Sequence, residues 1–141
     1  MMRVLRRFLS LPNRDRNRVI RALTCMVVAP VALKAFGFHR CHKLINRRSA
    51  RLRHNLPTDQ ELLGELLRSY QRVTSTLTIG KCLSRSLAMR FYLQTYGINA
   101  EMRIGVARTG HELDAHAWVE YNGQALLETV PGRYAAFSRL E

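Results

Sequence analysis

"KCLSRSLAMRFYLQTYGINAEMRIGVA", residues 81–107, changes its period halfway along. Up to Tyr96 the apolar residues recur at helical spacing, with Leu83, Leu87 and Phe91 on one face and Ala88 and Tyr92 beside it. That is the pattern of a helix with a buried stripe. Gly97 follows, the residue type that closes a helix in the left-handed conformation. From Ala100 onward apolar and polar residues alternate through "AEMRIGVA", which is a strand pattern. The run therefore predicts a helix handing over to a sheet.

The flanks extend this order. Downstream, "DAHAWVEY" (114–121) alternates again, and "QALLET" (124–129) makes a third strand after Asn122-Gly123. Upstream, "TDQELLGELLRSYQRVTSTL" opens with Thr58 and has Glu61 three residues later, a capping box. Leu62, Leu66, Tyr70 and Val73 then recur at helical spacing, so a helix is expected over about 58–75. Helices first and a small antiparallel sheet afterwards make an α+β fold.

The charge divides the chain. Residues 1–56 hold 14 Lys+Arg against Asp15 alone, whereas residues 57–141 hold 9 of each sign. The whole excess of +13 thus lies in the first part. We expect a basic N-terminal helical region over 1–56 and a core over 57–141, within one continuous globular unit. Asn13 is a candidate helix cap. "ALTCMVVAPVALKAF" (22–36) is apolar, but Lys34 interrupts it, and its uncharged run of about 12 residues falls short of the roughly 20 a bilayer span needs. It is expected to be a helix with one buried face, kinked or ended near Pro30. The alternative for this segment is a membrane-surface helix with flanking arginines. The basic stretch 38–57 is expected to be a short helix plus linker. Three cysteines without a CxxC pair argue against a disulfide framework and for a reducing, cytoplasmic setting.

Gly80 stands where a cap belongs, so Cys82 falls in the first turn of its helix. Free amide N–H groups and the helix dipole favour a thiolate there, and the same amides suit an oxyanion. Lys81 and Arg85 add positive potential. The ordinary reading of a lone cysteine is a small buried hydrophobe. On the strand, His116, Trp118 and Glu120 share one face, so a Cys–His pair assembled from separate segments becomes the functional reading. The ordinary one is a half-buried histidine.

A third group should orient the imidazole. Glu128 is the candidate, with Asp114 and Glu120 as rivals on the face of His116. A two-residue Asn122-Gly123 turn pairs 117 with 128 and turns Glu128 to the wrong face. A three-residue loop with a bulge pairs 116 with 128. The trio therefore expects the three-residue loop.

The run "CLSRSLAMRFYLQTYGINAEMRIGV…HELDAHAWVEYNGQALLE" resembles the B2 proteins of lasso-peptide biosynthesis, leader peptidases with a transglutaminase-like fold distantly related to papain-type cysteine peptidases. The resemblance implies a nucleophile-bearing helix packed on a small antiparallel sheet. It implies Cys82 as nucleophile, His116 as base and Glu128 where the family usually has aspartate. It further implies a ribosomally made precursor peptide with a leader as substrate, a separate leader-recognition (B1) protein as partner, and an ATP-dependent lasso cyclase acting afterwards. No cofactor or metal is expected.

Other features are weaker. "FHRCHK" sets His39, Cys41 and His42 close together, but neither Cys25 nor His54 completes a standard zinc spacing. Trp118 is expected to be core or a wall of the substrate groove. Nucleic-acid binding rests on charge alone, with few aromatics for stacking. The competing functions are an acyltransferase or amidase on the same triad, and a non-enzymatic basic module binding a membrane, an RNA or an acidic protein.

Overall fold

In a computed structural model of the chain, residues 6, 8–51, 60–77, 79–109, 112–127 and 134–136 are described. Among them run three helices, α1 (Asn13–Arg51), α2 (Gln60–Thr76) and α3 (Cys82–Gln94). Four strands follow, β1 (Glu101–Thr109), β2 (Glu112–Tyr121), β3 (Gln124–Ala125) and β4 (Ala135–Ala136). The sheet order is β3-β2-β1-β4, every pair antiparallel. The α+β order expected from the change of period holds.

The first helix departs from expectation. It does not end at Pro30; it continues through that residue and breaks at Gly37, whose φ of 75° and ψ of 163° lie outside any helix. Proline removes one donor, a loss the flanking turns tolerate here, whereas a glycine can leave the helical region without steric cost. The basic segment after Gly37 is helix as far as Arg51, and the linker expected to follow it falls outside the described residues. Residues 52–59, including the capping Thr58, lie outside the described residues. At the start of α1 the Asn13 Oδ1 accepts from the Arg16 guanidinium at 2.8 Å.

One face of α1 is buried as expected. Ala22, Cys25, Met26 and Ala29, at i, i+3, i+4 and i+7, join Leu66, Tyr70 and Val73 of α2 and Tyr92 and Leu93 of α3 in the main core. Arg18 reaches across to Glu65 at 2.7 Å. The second leg of α1 is tied to α3 by polar groups. Arg90 is buried and donates to the Ala100 carbonyl (3.0 Å) and the Asn46 Oδ1 (2.7 Å). Gln94 donates to the Ile45 carbonyl (2.8 Å) and the Ser49 Oγ (2.7 Å). His42, in "FHRCHK", stacks on Phe38 and pairs with Asn46, and burial beside Arg90 lowers its pKa.

Helix α3 is the most enclosed of the helices, buried at Ser84, from Ser86 through Arg90 and from Tyr92 through Gln94. It ends in a Schellman closure: the Ile98 amide donates to the Leu93 carbonyl, the Gly97 amide to the Gln94 carbonyl, and Gly97 has φ 80°. The chain then turns directly into β1.

The β2–β3 hairpin corrects a second expectation. Tyr121 pairs with Gln124, so the turn is the two residues Asn122 and Gly123, both left-handed (φ 52° and 77°). These angles fit the right-handed twist of the ribbon. The three-residue loop is not formed. The third strand is also shorter than expected. After the Leu126 amide bonds the Val119 carbonyl, Leu127 takes φ 62° and the extended ladder stops. The pairing of 116 with 128 that the trio needs is therefore not provided by this turn. Glu128 itself lies outside the described residues.

Candidate active site

Cys82 opens α3. Its preceding residue, Lys81, is the N-cap in extended conformation, and no side-chain capping hydrogen bond is made there among the described residues. The first-turn amides of the helix have no intrahelical acceptor, so they present positive potential around the thiol. Gly80 is needed for this entry: it has φ 77°, and a Cβ there would lie 2.2 Å from the Ser84 Oγ.

Cys82 and His116 line one cleft of about 350 Å³, together with Tyr70, Arg85, Ser86 and Leu127. Helix α2 forms one wall, the head of α3 the floor, and the edge of β2 the other wall. A buried hydrogen bond, Ser86 Oγ to the Ala117 carbonyl at 2.8 Å, joins the two segments. Ser86 is one turn after Cys82, and Ala117 is next to His116, so this bond sets the relative position of both. Its origin lies in the short β3. Carbonyls two residues apart on a strand point to the same edge. Val119 finds its donor in Leu126, but two residues upstream the neighbouring strand has ended, and the Ser86 hydroxyl takes its place. A further bond, from the Tyr70 hydroxyl to the Arg85 carbonyl (2.7 Å), ties α2 to the same turn of α3.

The strand alternation assigns the side chains. Ala117 and Val119 face the helices; Ala117 packs with Leu87, and Cys82 and Leu83 lie against that cluster. The His116 ring lies on the opposite face, stacked on Trp118 (6.0 Å, 14°) and against Tyr134 (5.4 Å). His116 also lines the cleft, on the side of β2 that pairs with β3. Opposite it in register stands Gly105, where a Cβ would come within 2.9 Å of the Trp118 ring and 3.1 Å of Tyr134. The absent side chain makes room for this aromatic layer.

The carboxylates near His116 differ in their engagements. Glu120 accepts from the Trp118 indole (2.7 Å) and from Arg103 (3.1 Å). Asp114 accepts from the Tyr134 hydroxyl at 2.6 Å. Trp118 is buried and does not line the cleft. Sequence reasoning missed Ser86, Tyr70, Gly105 and Tyr134. Ser86 had a signal, its i+4 spacing from Cys82 on one helix face. Tyr134 had none, because its place depends on β4 pairing with β1.

Cys25 and Cys41 stand apart from this cleft and line a second, more apolar one between α1 and α3. Burial pushes the Cys25 thiol up to about 11.

Comparison with curated proteins and with solved structures gave no match. The family model of the transglutaminase-like superfamily matches residues 23–141, which takes in most of α1 along with α2, α3 and the sheet. This span contains both Cys82 and His116, and the chain belongs to the transglutaminase-like superfamily.

Proposed function

We propose that the protein is a cysteine peptidase that removes the leader from a ribosomally made lasso-peptide precursor, with Cys82 as nucleophile, His116 as base and Glu128 as the group that orients the imidazole. The observation that carries the reading is the shared cleft: a cysteine in the first turn of a helix and a strand histidine open onto the same space. Membership of the superfamily supports the chemistry, and the C-L-x-R-S-L-A and H-A-W-V-E elements support the substrate class.

In this reading His116 takes the Cys82 proton and the thiolate attacks the carbonyl at the leader–core junction. The first-turn amides of α3 hold the oxyanion. The C–N bond breaks as His116 returns the proton to the leaving amine, which becomes the N-terminus of the core. The leader is left as a thioester on Cys82. His116 then takes a proton from water, the hydroxide displaces the thiolate, and the thiolate recovers that proton. The products are a free leader carboxylate and unmodified enzyme. A separate leader-recognition protein delivers the substrate, and an ATP-dependent cyclase consumes the core.

The test is incubation with a precursor and its leader-binding protein, read by mass spectrometry. Two fragments whose masses sum to precursor plus water are expected, and Cys82→Ala should abolish them with the fold retained. Cleavage that survives Cys82→Ala would refute the proposal. An adduct with an added amine in place of the free leader would convert it to acyl transfer.

A further inference from the structure

The outer face of α1 is unused by everything described so far. Ile20, Val27 and Val31, at i, i+7 and i+11, fall on the side of the helix opposite Ala22, Cys25, Met26 and Ala29. Val31 is 64% exposed. Phe36, at 61%, stands just before the break at Gly37 on another side of the helix, and Leu44, at 67%, lies beyond the break. The uncharged run by itself falls short of a bilayer span, but the whole helix is by length and composition apolar enough to cross a membrane, and only 22% of its most apolar stretch is buried. A face this apolar in water marks an interaction site.

We propose that this face docks α1 in the plane of an anionic membrane surface. Charge selects the partner. Arg16, Arg21 and Lys34 border the stripe on the first leg. Arg40, Lys43 and Arg47 line a separate apolar groove of about 510 Å³ between α1 and α3, and they add to the positive potential of the second leg. The helix itself carries ten Lys+Arg against Asp15 alone. An apolar stripe bordered by cations is the pattern of a helix lying at the headgroup boundary, with side chains among the acyl ends and guanidinium groups against phosphates.

Two other arrangements fit less well. Crossing the bilayer would expose Ala22, Cys25, Met26 and Ala29 to lipid and break the Arg18–Glu65 ion pair, since these hold α1 to α2 and α3. A second copy would bring two equally basic faces together against their repulsion.

The experiment is vesicle flotation with the full chain, using phosphatidylcholine alone and phosphatidylcholine mixed with phosphatidylglycerol. Partitioning to the anionic vesicles only, weakened by salt and released by high salt, is expected. Val27→Glu with Val31→Glu should reduce it at least about tenfold. Both positions are exposed, so circular dichroism and the melting temperature should hold; Val31→Ser, a milder change, should give an intermediate loss. Absence of partitioning to anionic vesicles would overturn the proposal. So would partitioning indifferent to both variants, resistance to alkaline carbonate extraction, or a dimer or complex with an acidic polypeptide that occupies the face without any affinity for vesicles. None of these readouts depends on peptidase activity.

Discussion

Ser86→Ala is the substitution that separates structural support from chemistry in this site. The Ser86 hydroxyl is buried and gives its hydrogen bond to the Ala117 carbonyl at 2.8 Å. Removing it costs the net value of the bond, about 1 kcal/mol, rising toward about 3 kcal/mol because a buried carbonyl loses its donor at a place where the neighbouring strand has already ended. For a chain of this size that is a fall in melting temperature of about 3–10 °C. The same bond spaces α3 from β2, one turn from Cys82 and next to His116. The proposed cleavage should therefore lose at least about tenfold in kcat/KM, by the loosening of a positioned pair. Thermal unfolding by circular dichroism and cleavage kinetics on one precursor measure the two effects. A variant that melts within about 1 °C of the parent would show that the hydroxyl does not bridge helix and strand, and the reasoning about the truncated β3 would fail with it.

Four further outcomes follow from the same structure. Gly105→Ala should destabilise by about 1–3 kcal/mol, because its Cβ enters the space of the Trp118 ring and Tyr134; unchanged stability in denaturant unfolding would contradict the layered arrangement over β1 and β2. Arg90→Met should cost about 3 kcal/mol, since it strips donors from Ala100 and Asn46 inside the structure, and loss of helical circular dichroism at lower urea is the readout. Burial raises the Cys25 pKa from 9.0 to about 11, so the folded state holds its proton longer than the unfolded chain. Stability from this group is complete below pH 9 and is lost as pH rises through 11; Cys25→Ala should remove that part of the alkaline decline. At neutral pH an alkylating agent should accordingly label Cys82 before Cys25, and the reverse order by peptide mapping would deny Cys82 its accessible place.

Periodicity alone was enough for the order of helices before a small antiparallel sheet, though not for β4, which carried no alternating signal. The stripe Leu83, Leu87, Phe91, the stop at Gly97 and the alternation after Ala100 are local signals, and local backbone preference with one-sided burial makes each of them nearly independent of the rest of the chain. The same locality put Cys82 in a first turn and His116 on a strand. It failed at Pro30 and Gly37, where two helix-breaking residues competed and only the packing of both legs of α1 against α3 decided which one bends the chain. It failed again at the hairpin. Asn122 and Gly123 satisfy either loop length, and the choice belongs to the twist of the paired strands and to Leu127, whose left-handed backbone ends the ladder. The meeting of Cys82 and His116 in one cleft is a long-range matter of the same kind. It depends on Ser86 reaching a carbonyl 31 residues away, a contact that exists only once helix and sheet are stacked. Side-chain identity along a chain specifies which groups can form such a bond; the distance between them is set by the whole core.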